Sequence, residues 1–202
     1  MVKDEYIKDL HDNVDEHVFA NTDPRYNYSR KYLGVLLEIN GFFYYAPLSS
    51  PKNSDYMIMR GRKVIRNSTK SIIRMVETDA NGKRSLLGTI KLSNMIPVPY
   101  NQLIDYDLDN EQDKEYKDLD LKEKRFINRN EDMITSYAEV LYREKMDGSI
   151  SRGYLVRIKE PWSICCSRAL SAQKMVFIAG AFHREIPGGA LPGYPGGDFL
   201  QR

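Results

Sequence analysis

Ser49, Ser50 and Lys52 lie within four residues of one another, with Pro47 just before them and Pro51 among them. Two hydroxyls and an ammonium group are hydrogen-bond donors suited to a phosphate and to charge developing on it. No histidine stands near this cluster, so a two-histidine acid–base pair is not offered. No Asp or Glu lies within it either, which speaks against a carboxylate metal cage. Each proline fixes its own φ and drives the preceding residue towards extended geometry. The segment should therefore leave a strand stiffly, with Ser49, Ser50 and Lys52 held on a defined backbone. An ordinary strand-to-loop exit would read the same way. A Ser–Lys hydrolase is a third reading, because Ser50 and Lys52 two apart on a strand point the same way. Pro51 bends that geometry, however, and no nucleophile-elbow pattern surrounds Ser50.

The elements that must position this cluster precede it directly. Val35, Leu36, Leu37 and Ile39 form an apolar, β-favouring run, and Asn40-Gly41 is the strongest hairpin signal in the chain. Phe42, Phe43, Tyr44 and Tyr45 resume the strand. Upstream, Tyr6, Ile7, Leu10 and Val14 predict a short amphipathic helix over residues 3–18, with His11 and His17 as solvated surface histidines. Downstream, Arg60, Arg62, Lys63, Arg66, Lys70 and Arg74 are interleaved with apolar residues. They form a candidate phosphate-facing strip, or one solvated face of a strand pair. Asp79-Ala80-Asn81-Gly82 marks a second hairpin, and Pro97 and Pro99 close the strand region. Residues 102–124 are rich in Asp, Glu and Lys, with helix expected from about Glu111. Leu119, Phe126, Ile127, Met133, Ile134, Tyr137, Val140 and Leu141 make a helical stripe that should pack on a curved sheet and stop at Asp147-Gly148.

At 202 residues, 42% hydrophobic and 29% charged, the chain has the composition of a soluble globular protein with one main domain. A net charge of +2 excludes a uniformly basic nucleic-acid binder, so any RNA site must be a local patch. The adjacent Cys165 and Cys166 offer neither a disulfide framework nor a zinc spacing, and no apolar signal segment follows Met1; a reducing cytoplasm fits. Met175 to Phe182 is too short to span a bilayer. Residues 149–202 differ in character, with a Pro/Gly run over 187–197 and Tyr154 to Ile158 as a candidate strand. The expected organisation is one main domain over 1–148 followed by a divergent C-terminal segment.

Several ordered motifs together resemble the ToxN/AbiQ family, the endoribonuclease toxins of type III toxin–antitoxin systems. Gly34 to Ile39 and Tyr44 to Lys52 carry its central strand pair and Ser-Pro-Lys exit. Tyr6-Ile7-Lys8 with Leu10, Asp23-Pro24-Arg25-Tyr26, Ile90-Lys91-Leu92, Met95-Ile96-Pro97-Val98 and Phe126-Ile127 resemble further family segments, so the likeness runs over about residues 3–147. It implies an α+β fold: a highly twisted, partly open antiparallel β-barrel-like core of the MazF/Kid kind with packed helices. It implies metal-independent cleavage without a cofactor, by attack of the neighbouring 2′-hydroxyl, leaving 2′,3′-cyclic phosphate and 5′-hydroxyl ends.

By the resemblance, Ser50 is the essential serine, Ser49 its hydroxyl neighbour, Lys52 the site lysine and Tyr26 a site tyrosine. Arg30 stands where relatives carry a lysine. The exchange keeps the charge but makes a poor proton carrier, because Arg stays protonated. Phe126 reads as a base-stacking residue or as a core aromatic. The implied partners are an mRNA substrate and a repeat RNA antitoxin folded as a pseudoknot, assembled with the toxin into a closed hetero-oligomer. The implied setting is the bacterial cytoplasm, in growth arrest and phage abortive infection. A module of the same fold that holds RNA without cutting it is the alternative.

Overall fold

The computed structural model describes residues 1–16, 18 and 33–149, and the backbone of Val176 and Phe177. Tyr26, Arg30, His17 and the candidate strand Tyr154 to Ile158 lie outside the described residues. Strand β1 (Gly34–Ile39) turns at Asn40-Gly41 into β2 (Phe42–Ser49), and the two pair antiparallel along their length. Both turn residues have positive φ, 52° and 79°, the backbone that a two-residue hairpin demands and that Asn-Gly adopts at least cost.

β2 is the strand from which the sheet divides. Its second edge meets β7 (Ile96–Pro97) at Tyr44 and Tyr45, then β6 (Arg84–Lys91) at Leu48 and Ser49. β6 in turn pairs with β5 (Ile72–Thr78), with a register irregularity between Met75 and Val76, and β8 (Val176–Phe177) pairs with β1. The main sheet runs β5-β6-β2-β1-β8. Such splitting and bulging curls an antiparallel sheet into a half-barrel. A separate two-stranded ribbon, β3 (Tyr56–Met59) and β4 (Arg62–Ile65), projects from the exit of β2.

Both faces of the central hairpin are covered, which explains its unbroken apolar run. On one face Val35, Leu37, Tyr44, Ile73, Met75 and Ile90 pack with Ile127, Ile134, Ala138 and Leu141 of α2 (Lys114–Arg129) and α3 (Glu131–Met146). On the other, Tyr45, Ile96 and Val98 pack with Ile7 and Leu10 of α1 (Asp4–Asn13). Adjacent Tyr44 and Tyr45 thus serve opposite cores, as strand alternation requires. Among the described residues no helix is long and apolar enough to cross a membrane.

Three local expectations are corrected. The first helix is shorter than residues 3–18, and His11 is not simply solvated: its Nδ1 lies 2.7 Å from the Val18 carbonyl oxygen, which ties the chain back after the helix. α2 starts at Lys114 rather than Glu111, because the Asp113 carboxylate accepts from the Glu115 and Tyr116 amides and sets the N-cap. The late apolar stripe is shared between two helices. Asn130 leaves helical geometry and its side-chain amide donates to the Phe126 carbonyl, so the stripe breaks there.

Candidate active site

The candidate site residues gather where β2 runs out. Ser49 is its last residue and half-buried; Ser50 and Lys52 beyond it are exposed. The Ser49 hydroxyl donates to the Ser50 carbonyl at 3.4 Å, so it lies along the exit loop. Across the ladder Ser49 is opposite Thr89 of β6, and Thr89 is opposite Arg74 of β5. Partners in register share a face of the sheet. Arg74, Thr89 and Ser49 therefore form a polar row on the face turned away from α2 and α3.

Lys52 is fixed through its backbone. A short 3-10 turn, Asn53–Asp55, follows it. The Lys52 amide donates to Oδ2 of Asp55 at 2.9 Å, and the Asp55 amide donates back to the Lys52 carbonyl at 2.9 Å. Asp55 is buried, and its Oδ1 lies 3.1 Å from Nη2 of Arg74, which is also buried. Arg74 also donates from Nη1 to the Asn67 carbonyl at 2.7 Å, and its amide donates to the Ser68 hydroxyl at 2.9 Å. The Arg66 amide donates to the Asp55 carbonyl at 2.9 Å. One ion pair thus ties the exit loop, the return of the β3–β4 ribbon and the edge strand β5.

Lys91, the last residue of β6, completes the cationic surroundings. Its pKa is held below the ordinary lysine value, chiefly by burial; the Asp55 carboxylate opposes this, while the Lys52 and Arg74 cations add to it. Lys91 is therefore within electrostatic reach of all three. Lys52, in the exit loop with the two serines, and Lys91, close enough to feel its charge, are cations of the kind that suit a crowded anionic phosphorane. Among the described residues no three His, Cys, Asp or Glu side chains are grouped as a metal site requires.

The basic strip read from the sequence divides by position. Arg60, Arg62 and Lys63 are exposed on the β3–β4 ribbon, and Arg60 sits at its tip with φ 49°. The Lys63 ammonium lies 4.3 Å from the Tyr56 ring centroid, a cation–π contact along the ribbon. The ribbon also exposes Met57, Ile58 and Met59, so cations and apolar surface stand side by side. Arg66 is exposed, with its Nε donating to the Tyr56 carbonyl. Lys70 is paired with Glu144 of α3 at 2.5 Å. Arg74 leaves the strip altogether, since its pairing with Asp55 takes it into the interior. Phe126 is partly buried against the main core.

Sequence reasoning missed Asp55, Thr89 and the role of Lys91. The signal for Asp55 was local: an Asp three residues after Lys52 is placed to accept its amide. Thr89 carried no signal beyond strand position, and Lys91 stood in a family-like segment, Ile90-Lys91-Leu92, that did not mark it as a site residue.

A family model described as toxin ToxN of the type III toxin–antitoxin system matches residues 1–159. Endoribonuclease ToxN of Pectobacterium atrosepticum is 30% identical over 146 residues, covering 72% of this chain and 78% of that protein. Endoribonuclease ToxN of Bacillus thuringiensis subsp. kurstaki is 30% identical over 71% of this chain and 66% of its own length. Endoribonuclease AbiQ of Lactococcus lactis subsp. lactis is 30% identical over 58% and 61%. Two solved structures share the fold. One, described as a processed non-coding RNA regulating a bacterial antiviral system, aligns at TM-score 0.64 and 27% identity, over 81% of this chain and 95% of its own. The other concerns selective toxin inhibition by a non-coding RNA pseudoknot and aligns at TM-score 0.53 and 29% identity, over 82% and 88%. The chain belongs to the ToxN family, the endoribonuclease toxins of type III toxin–antitoxin systems.

Proposed function

We propose that the exit of β2 is the cleavage centre of a metal-independent endoribonuclease toxin that cuts mRNA by transesterification. The ribose 2′-hydroxyl gives up its proton and its oxygen forms a bond to the adjacent phosphorus, as the bond from phosphorus to the 5′-oxygen breaks and that oxygen takes up a proton. The products are a 2′,3′-cyclic phosphate and a 5′-hydroxyl. Lys52 offsets the charge that builds on the phosphorane, with Lys91 as a second cation nearby. Ser50 and Ser49 orient the 2′-hydroxyl and the scissile phosphate. Tyr26 and Arg30 join the site from the segment before β1, as the family motif implies, and Arg30 grips phosphate rather than carrying a proton. The observation that supports this most is the backbone anchoring of Lys52, through Asp55 and Arg74, beside the two serine hydroxyls.

RNA reaches the centre along the β3–β4 ribbon, where Arg60, Arg62 and Lys63 contact backbone phosphates and Arg66 continues the track. Phe126, with its ring partly buried against the core, serves packing first and meets a base only through its exposed edge. The inhibitor is a repeat RNA folded as a pseudoknot, in line with the one solved relative described by selective toxin inhibition by a non-coding RNA pseudoknot, and toxin and RNA assemble into a closed hetero-oligomer. The setting is the bacterial cytoplasm, where release of the toxin arrests growth and aborts phage infection. Residues 1–148 carry the chemistry.

The test is cleavage of a defined mRNA in EDTA by the protein and by Ser50→Ala, with the product ends identified. Cyclic-phosphate ends from the wild type and loss of cutting in the variant are expected. Binding of repeat RNA by a folded wild type that never cuts would favour the RNA-holding module instead.

A further inference from the structure

We propose that the buried Asp55–Arg74 ion pair is a positioning device for Lys52, holding it at a fixed place relative to Ser49 and Ser50. The proposal rests on the assignment of Lys52 to the cleavage centre. Lys52 is exposed and lies three residues beyond the end of its strand, a place where a backbone is ordinarily free to wander. Here it is closed into a circuit. Ser49 pairs with Thr89, Thr89 with Arg74, Arg74 with Asp55, and Asp55 returns to the Lys52 backbone. Both ends of the segment from Ser49 to Lys52 are thus tied to β5 and β6, and Pro51 stiffens what lies between.

Stability alone is a poor reason for such a pair. Taking two charges out of water costs about as much as their attraction returns, and packed apolar residues would hold the two strands as well. What an apolar pair could not supply is an acceptor for the Lys52 amide and, on the same carboxylate, a second oxygen for Arg74. The guanidinium likewise reaches the Asn67 carbonyl, at the point where the ribbon returns to the sheet. Ribbon and Lys52 are therefore set by one node, so RNA laid along the ribbon meets a lysine in register with it. Lys91 gains as well, since the Asp55 charge offsets the repulsion from Lys52 and Arg74.

The test is single-turnover cleavage of a defined mRNA, with the full chain in excess so that slow rates stay measurable. The proteins compared are wild type, Asp55→Asn, Lys52→Ala and the double variant, each with its melting temperature. Asp55→Asn should lower the maximal rate on the order of 100-fold and shift half-saturation by less than about threefold, since a misplaced group is lost from the reaction rather than from binding. The double variant should be no slower than Lys52→Ala, because a residue acting through Lys52 has nothing left to position. Asp55→Glu keeps the charge pair but pushes the Lys52 backbone outward, so it should melt near wild type and still cut about tenfold more slowly; it serves as the test if Asp55→Asn does not fold. Penalties that multiply in the double variant, or wild-type rates from Asp55→Asn or Asp55→Glu, would overturn the proposal. A fast Lys52→Ala would instead overturn the site assignment itself.

Discussion

The strands β5, β6 and β2 carry buried charge on both of their faces, and the two faces handle it differently. On the open face an anion meets a cation: Asp55 against Arg74, 3.1 Å apart. On the helix-covered face Glu123 of α2 is buried above Gly88, with Asp120 beside it, so carboxylate is set against carboxylate. Glu123 responds as such a group must, its pKa pushed up to about 7 by burial first and by the Asp120 charge second. An opposite-charge pair fixes a geometry, whereas a like-charge pair makes stability depend on pH. The exit loop that carries Ser50 and Lys52 is attached to the first kind.

The sharpest way to break the comparison is to turn the open face into an uncompensated one. Arg74→Met leaves the Asp55 carboxylate buried without its partner, and a loss of about 3–5 kcal/mol is expected, read by urea unfolding at pH 7. RNA cutting should fall with it. Because the Asn67 carbonyl loses its tie to the guanidinium at the same time, hydrogen exchange should rise at the base of the ribbon more than in α3.

The wall between the two faces is next. A Cβ on Gly88 would stand 2.5 Å from Glu123 Oε1, 3.1 Å from Met75 Cε and 3.2 Å from the Ser49 carbonyl oxygen. The Glu123 side chain can swing away, but the Ser49 oxygen belongs to the strand that ends at the site. Gly88→Ala should therefore cost about 1–3 kcal/mol and also slow cutting, since relief displaces β2. Unchanged cutting with lowered stability would mean that the helix absorbs the whole strain.

This contrast marks what could be read in advance. The hairpin at Asn40-Gly41 and the stiff exit at Ser49, Ser50 and Lys52 were legible because turn chemistry and proline act locally. So was the mixed helix-and-sheet class, from periodicity and from the family motifs. Arg74 was read with its exposed neighbours because a cation in an alternating strand looks the same whether it faces water or a buried carboxylate. Only closure of the exit loop onto β5 separates the two. Lys91 stood inside a recognised motif with no sign that its strand ends beside Lys52. Asn130 hid a helix break in a run whose apolar spacing continues straight through it. Tyr26 and Arg30 lie outside the described residues, so their part in the site rests on the motif alone.

The helix face yields a smaller effect of opposite sign. Glu123 holds its proton in the folded state up to about pH 7, while in the unfolded chain it ionises around 4.5. Between those values the native state binds more protons, so its stability falls as pH rises and then levels off above 7. Glu123→Gln removes the charge that burial disfavours. It should stabilise the protein on the order of 1–2 kcal/mol at pH 8, with little effect at pH 4, and flatten the profile between. Unfolding free energies at pH 4, 6 and 8 check this; a variant that is less stable at pH 8 would show that the carboxylate is compensated by a neighbour. Cutting should be nearly unchanged, in contrast to Asp55.

The smallest effect separates buried from exposed pairing. Lys70 and Glu144 meet at 2.5 Å, closer than Asp55 and Arg74, yet their side chains remain 49% and 32% exposed. Water already solvates both groups, so the contact replaces hydration rather than desolvated charge, and holding two long side chains offsets the Coulomb gain. Lys70→Ala should cost less than about 1 kcal/mol and lose even that in high salt. Because Lys70 is engaged with α3 rather than turned to the ribbon, RNA affinity should fall less than in Arg62→Ala, whose side chain is exposed beside the tip. Filter binding across a salt series reads both: Arg62→Ala should reduce the slope by about one released counterion, and Lys70→Ala by clearly less. Equal slopes would place Lys70 on the RNA track and make its bond to Glu144 one that RNA displaces.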